Sequence, residues 1–343
     1  MSNKAKNKVT LSDIARHTGF SVNTVSHALN GIDDVKESTK KLILGTAKKL
    51  GYIPNSAAVS MRNGKTKAIA AIIPDITGLY FPIMVKLLEN KLRGLGYDLI
   101  IMNTSENPEQ ELQCVTSAIS KNVDGVIICP SMHNCDALEL MKRYGVPFVL
   151  MGRHFSDRFY ESVVMDDFQG GYLLTDHMIK MGHRRIAYIG ASTHVSSSAE
   201  RLEGYYSALS ANKIEKDASL VKICRNLDDL TAASIEIVSG KLNCTSIFGF
   251  CDMFCWHIAS ILEQNGLKIP DDISIGGIDN LLSHIIFPFE LTSVDCPKEQ
   301  MADCIIQSLF SKLEMPDDHN VRHIIQPQLI VRKSIKNIGQ ALQ

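Results

Sequence analysis

Val9-Thr-Leu-Ser-Asp-Ile-Ala-Arg-His-Thr-Gly-Phe-Ser-Val-Asn-Thr-Val-Ser-His-Ala-Leu-Asn-Gly31 is the stretch that decides the fold. Thr10 is a good N-cap, Asp13 follows three residues later as in a capping box, and Val9 is placed to act as a hydrophobic staple. Leu11, Ile14 and Ala15 recur at helical spacing and give the first helix one apolar face. Gly19 supplies the backbone freedom for a sharp turn. Ser21 caps a second helix in which Val25, Ala28 and Leu29 face the first, while Val22, Asn23, Ser26 and His27 face outward. Asn30-Gly31 ends it. The spacing predicts two short helices joined by a tight turn, a helix-turn-helix whose second helix has the size for a DNA major groove.

The outward face of the second helix carries hydrogen-bonding groups and no acid. Ser21, Thr24 and Ser26 offer hydroxyls and a helix N-terminus to phosphates. An ordinary helical hairpin shares this periodicity, so charge has to separate the two. Residues 1–67 hold ten Lys and two Arg against three Asp and one Glu, a formal +8. The rest of the 343-residue chain therefore carries −9, and the total of −1 conceals two opposite regions. A basic head on an acidic body is the asymmetry expected of a nucleic-acid reader joined to a separate domain.

From Ala68 onward, strand-like and helix-like segments alternate. Ala68–Ile73, Asp98–Met102, Gly125–Cys129 and Val146–Met151 read as strands, with helices expected from Tyr80 to Leu95 and from Pro108 to Lys121. A second series is expected from near Val163, through Ile186–Ile189, Ile247–Phe250 and Ser274–Ile278. Such alternation predicts two parallel sheets wound on both faces, with a cleft between two subdomains. Ligands in such folds bind outside the carboxyl ends of the strands. Tyr80 and Phe81 follow the first strand, Gly152-Arg153 follow the strand ending at Met151, and Asp279 ends the strand Ser274–Ile278. Phe81 fits plain core as well as it fits a ligand contact, and Arg153 has the fork to engage hydroxyls or a phosphate.

The nine cysteines show no CxxC pair, which suits a reducing cytosol better than a disulfide framework. The polar, basic N-terminus is not followed by an apolar run, so no signal peptide is expected, and no segment is long and apolar enough to cross a membrane. No Walker loop, no G-x-G-x-x-G after a strand and no G-x-S-x-G elbow is present. The acid pairs Asp166-Asp167 and Asp271-Asp272 have simpler roles at a helix start or a turn. Cys251, Cys255 and His257 do not follow a strong zinc spacing. No catalytic residue, metal or cofactor is assigned.

Thr10-Leu-Ser-Asp-Ile-Ala and Ser21-Val-Asn-Thr-Val-Ser-His-Ala-Leu-Asn closely resemble the head of the LacI/GalR family of bacterial repressors. Further family-like pieces follow in order: Leu50-Gly-Tyr-Ile-Pro-Asn55, Asp124-Gly-Val-Ile-Ile, Gly182-His-Arg-Arg-Ile-Ala-Tyr-Ile-Gly190, Arg201-Leu-Glu-Gly-Tyr205 and Pro270-Asp-Asp-Ile-Ser-Ile-Gly-Gly-Ile-Asp279. The resemblance implies a small all-α helix-turn-helix head (1–54), a hinge helix and linker (55–67) and an α/β core (68–343) like a periplasmic binding protein. The core would hold two doubly wound parallel-sheet subdomains, one of about 68–162 and 293–322, the other of about 163–292 and 323–343. It further implies a cytoplasmic homodimer on near-palindromic double-stranded operator DNA, controlled by a small-molecule effector.

Carried over by residue, Val22, Asn23 and His27 fall on base-reading positions, where His27 has a donor for guanine N7 or O6 or, alternatively, for a phosphate. The full set of expected DNA contacts is Thr10, Leu11, Ser21, Val22, Asn23, Thr24, Ser26, His27, Asn30, Asn55, Ala58 and Met61. In the hinge Pro54–Met61, Met61 stands where the family has a minor-groove Leu and Val59 where it has Arg. The expected effector contacts are Tyr80, Phe81, Arg153, Arg201, Asp252 and Asp279. Arg201 with Asp279 suits adjacent hydroxyls, and a structural salt bridge is the plainer alternative. Cys251 replaces a frequent effector-binding Asn, and the helix carrying Trp256 lies near the dimer interface in relatives. A sugar or sugar phosphate is favoured over a purine or other corepressor because Leu227 stands where the purine repressor has an aromatic. A solute-binding module without a DNA role is disfavoured by the basic head.

Overall fold

The computed structural model describes residues 9–32, 34–53, 64–286, 289–315 and 319–339. Two compact units divide the chain at Thr66/Lys67. The hinge residues Asn55, Ala58, Val59 and Met61 lie outside the described residues.

The first unit is a three-helix head: α1 (Leu11–Thr18), α2 (Val22–Leu29) and α3 (Glu37–Leu50). The Thr10 hydroxyl accepts from Asp13 N at 3.3 Å while Thr10 N donates to Asp13 Oδ2 at 2.9 Å, which completes the capping box. Gly19 ends α1 at φ +76°, a left-handed conformation that glycine adopts without a Cβ clash. Ser21 caps α2 through Thr24 N at 3.1 Å. Ile14, Val25, Ala28, Ile43 and Ala47 form the buried centre, with Val9, Leu11, Ala15 and Leu29 packed around it. The inward-facing residues of the two helices are those the 3.6-residue period selects.

The second unit holds two six-stranded sheets. Its strands are β1 (Ala68–Ile73), β2 (Asp98–Asn103), β3 (Gly125–Ile128), β4 (Phe148–Met151), β5 (Ser162–Met165), β6 (Ile186–Gly190), β7 (Val221–Ile223), β8 (Ser246–Gly249), β9 (Ser274–Asp279), β10 (Thr292–Asp295), β11 (Arg322–Ile325) and β12 (Gln328–Ile330). One sheet runs β11-β5-β4-β3-β1-β2, the other β12-β10-β9-β8-β6-β7. All neighbours are parallel except β10 and β12. The central strands are apolar along their whole length, as expected when helices cover both faces.

The division between the sheets differs from the expected one at three places. Ser162–Met165, expected to open the second series, pairs with β4 and closes the first sheet. Thr292–Asp295, expected to lead back to the first subdomain, pairs with β9 in the second. Arg322–Ile325, expected mostly in the second subdomain, pairs with β5 in the first. A run such as Val163-Val-Met165 announces a buried strand, but its partner is chosen by helices packed far away in sequence. The chain thus crosses between sheets three times: after β5, after β10 and after β11.

Candidate functional site

On α2, Val22 and Asn23 are exposed, while Ser26 and His27 are partly covered. Ser21 and Thr24 share a hydroxyl–hydroxyl hydrogen bond of 2.8 Å at the N-terminus. The Asn30 amide donates to the Ser26 carbonyl at 2.5 Å and ties off the last turn. His27 Nδ1 lies 2.5 Å from Asp34 Oδ2, which orients the imidazole. Asp34 escaped the sequence reading because it sits beyond the helix end, seven residues from His27. Thr10 is exposed at the head of α1, whereas Leu11 packs against the head core.

Between the two sheets lies a cavity of about 620 Å³. Its walls come from the carboxyl ends of β1 to β10 and the segments that follow them, where parallel strands leave a crevice. Tyr80, Phe81, Arg153, Arg201 and Asp279 all line it. Tyr80 donates its hydroxyl to Met301 Sδ at 3.3 Å, and its ring meets Phe81 edge-on at 5.4 Å. Phe81 both faces the cavity and packs on the core, so the two alternatives for it coexist.

The centre of the polar wall is Arg201. Its Nε donates to Asp167 Oδ1 at 2.7 Å, its Nη1 donates to the Phe250 carbonyl at 2.8 Å, and Asp279 Oδ1 lies 3.9 Å from Nη2. The guanidinium also rests 4.6 Å above the Phe250 ring. This geometry depends on two glycines. The helices Asp167–Lys180 and Ser196–Ala211 touch backbone to backbone, because a Cβ on Gly171 would strike the Arg201 carbonyl and one on Gly204 the Phe168 carbonyl. Asp166 is the N-cap, accepting from Gln169 N at 2.9 Å. The next acid is thereby left to point at Arg201.

Burial pushes Asp167 up to about 6 against the pull of Arg201, and it raises Asp279 against Arg201 and Lys298. Burial opposes the Arg201 charge, yet the two carboxylates outweigh it and hold its pKa above the usual value. Asp279 sits at φ +109° and Asn280 at φ +47°, so the chain is forced through a left-handed corner where β9 meets the cavity. The buried Lys298 ammonium donates to the Asp279 carbonyl from the helix Lys298–Glu314 and fixes that corner.

Arg153 approaches from the other subdomain. Its Nη1 and Nη2 donate to Glu106 Oε2 at 2.9 Å and Oε1 at 2.6 Å, and Nη1 also donates to the Pro130 carbonyl at 2.7 Å. Glu106, Asp167, Phe250 and Phe254 were missed from sequence, although all four line the cavity. A doubled acid behind a strand was the one available signal, at Asp166-Asp167.

Asp252 needs correcting as a cavity residue. It is fully buried, and its two oxygens accept from Leu281 N at 2.7 Å and from Ser293 Oγ at 2.6 Å. It braces the loop after β9 to β10. Burial and the nearby Asp279 raise it to about 7 against the pull of those hydrogen bonds. Trp256 packs in the core of the second sheet. Cys255 donates to the Gly276 carbonyl, His257 pairs with Thr231, and Cys251 lines the cavity.

Residues 66–336 match the family model for periplasmic binding proteins and the sugar binding domain of the LacI family, and residues 10–55 match that for bacterial regulatory proteins of the lacI family. The HTH-type transcriptional repressor PurR of Mannheimia succiniciproducens is 28% identical over 332 residues, covering 96% of this chain and 99% of that protein. The structure of the transcriptional regulator CelR–cellobiose complex superposes with a TM-score of 0.70 at 26% identity, over 95% of this chain and 100% of that one. The lac repressor dimer bound to operator and the anti-inducer ONPF shares the fold with a TM-score of 0.82 at 20% identity, over 96% and 100% of the two chains. The DNA-binding head and the two-sheet core are matched in their proper order, and the chain belongs to the LacI family of DNA-binding transcriptional regulators.

Proposed function

We propose that the chain is a homodimeric, cytoplasmic repressor whose affinity for a near-palindromic operator is set by a small molecule held between the two sheets. The head (1–54) reads DNA through Val22, Asn23 and His27. The segment 55–67 couples the head to the core (68–343), which binds the effector and dimerises. The observation that carries this proposal is the cavity at the strand ends, where Arg201 and Asp279 from the second subdomain face Arg153 from the first. A ligand touching both subdomains favours one relative pose of the two, and only such a difference in affinity between poses can change the operator equilibrium. Sugars fit the mixture of acids, guanidinium groups and aromatic rings, and the CelR neighbour is a cellobiose complex. A purine or another metabolite acting as corepressor is the second reading, supported by the PurR relatives. The chain does no catalysis in either.

Selection of bound sequences from a random DNA pool tests the head assignment. The wild-type protein is expected to enrich an inverted repeat. Asn23→Ala and His27→Ala are expected to weaken discrimination between that repeat and random DNA by about tenfold or more, as for loss of one base contact. Full discrimination in both variants would mean that another element reads the bases.

A further inference from the structure

Both arginines of the cavity are already occupied by carboxylates. Glu106 closes the fork of Arg153 with two parallel hydrogen bonds, the geometry with which a guanidinium takes an anionic ligand. Asp167 and the Phe250 carbonyl take two donors of Arg201. Across the lining, Asp75, Glu106, Asp167 and Asp279 stand against Arg153 and Arg201, a formal charge of −2 with His257 neutral. An anion entering this space meets a net negative formal charge, a closed fork on Arg153 and, on Arg201, only Nη2 without a hydrogen bond among the described residues. Asp279 is different. Its carboxylate has the Arg201 guanidinium at 3.9 Å and, among the described residues, no hydrogen bond, although the residue is only 8% exposed. A buried carboxylate open to a cavity is an acceptor awaiting a donor. Phe250, whose ring lies under the Arg201 guanidinium, and Phe254 are 5.6 Å apart and, with Leu227, Leu230 and Met253, give the cavity its apolar lining.

The loop that delivers Glu106 is strained. Ser105 and Glu106 occupy left-handed conformations in succession, φ +52° and +56°, where neither residue type is at ease. Such strain persists only where neighbouring contacts over-determine it. Here those contacts are the Arg153 fork and the Asn107 side chain, which caps the following helix through Glu109 N and Gln110 N.

We propose that Glu106 is the specificity-determining residue of this cavity: by closing the Arg153 fork it excludes anionic ligands. The effector is then an uncharged molecule with hydrogen-bond donors for Asp279 and one apolar face for Phe250 and Phe254. This deepens, and rests on, the assignment of the cavity as the effector site. It separates sugars from their phosphate esters, which the residue types alone left together.

Calorimetric titration of the full-length protein with inorganic phosphate and with glucose 6-phosphate tests the proposal. Wild type is expected to bind neither in the millimolar range. Glu106→Ala is expected to gain affinity for both by at least about tenfold, or 1.4 kcal/mol. Glu106→Gln is expected to gain less, since its amide still fills the fork. Adding Arg153→Ala to Glu106→Ala is expected to abolish the gain. Wild-type binding as tight as that of Glu106→Ala overturns the proposal, as does a folded Glu106→Ala protein that gains nothing, or a gain that survives loss of Arg153. A thermal-shift panel of sugars, each beside its phosphate ester, is expected to give stabilisation of wild type by uncharged members alone; a larger shift with any ester than with its parent sugar overturns the inference. Operator binding measured on the same samples keeps the two questions apart. A chain that selects no operator fails the repressor assignment while the anion result stands.

Discussion

Arg153 and Arg201 enter one cavity from opposite subdomains, and each is neutralised by an acid, yet the two pairs are built differently. Arg201 is clamped by Asp167 from a neighbouring helix, and both side chains are about a tenth exposed or less. Arg153 is nearly as covered, but its partner Glu106 sits on a strained loop with 46% of its side chain exposed. A buried pair is part of the core: its charges left water on folding, and each exists only because the other does. A pair with one exposed member opens more easily than a buried one, because the acid regains water, although Arg153 itself stays covered. The same chemistry therefore serves as a strut on one side of the cavity and as a gate on the other.

The largest expected effect is on the strut. Arg201→Ala leaves Asp167 buried without its cation and Asp279 with Lys298 alone, and urea unfolding should show a loss of about 3–5 kcal/mol, as for breaking a buried pair. Arg153→Ala releases Glu106 to water, and the loss should be nearer about 2 kcal/mol, typical of hydrogen bonds to a charged group. Equal losses in the two variants would break the comparison.

The contrast also shows which parts of the molecule a sequence displays. The head was readable because its determinants are local: the Thr10 cap, the Gly19 turn and the inward set Val25, Ala28 and Leu29 all act within a few residues of one another. The carboxyl-end rule placed Tyr80, Arg153 and Asp279 correctly at the cavity, because strand ends are visible as the ends of apolar runs. Partners were not readable. Glu106 meets Arg153 across 47 residues and Asp167 meets Arg201 across 34, and nothing in either local pattern points across that distance. Asp252 was misplaced for the same reason. The family resemblance put it among the effector contacts because the family has an Asp at this place in the segment, but Ser293 and Leu281 N, far along the chain, draw it into the core.

Burial of carboxyl groups also brings a pH dependence. Asp167 is held up to about 6 and Asp252 to about 7 by burial. An acid whose folded pKa exceeds its unfolded value, about 3.9, takes up protons on folding. Its stabilising contribution is complete below the unfolded pKa and is lost as pH rises through the folded one. The contribution of these two acids to the urea midpoint of the wild type should therefore fall between about pH 5 and pH 7.5, against an opposite contribution from His177 and His183, whose pKa values burial lowers. Asp252→Asn should flatten that fall. Its amide can donate to Ser293 Oγ, which can turn to accept, while the remaining oxygen still accepts from Leu281 N. An Asp252→Asn protein with the wild-type slope would remove this acid from the account.

The smallest expected effect is the most direct comparison of the two pairs. Double-mutant cycles remove each partner singly and together, so that the losses unrelated to the pair cancel. For Arg153 and Glu106 the coupling should be about 1 kcal/mol, the upper end for a pair with an exposed member. It should shrink in roughly 1 M salt, where screening acts over about 3 Å. For Arg201 and Asp167 the coupling should be larger and should barely respond to the same salt, because ions do not reach between two side chains that are both closed off from solvent. Salt sensitivity therefore separates gate from strut even if the two couplings turn out similar in size. A salt-insensitive Arg153–Glu106 pair would mean that Glu106 does not leave the fork readily and that the exclusion of anions is built in rigidly, while a salt-sensitive Arg201–Asp167 pair would mean that water enters the cavity as far as the helix contact at Gly171 and Gly204.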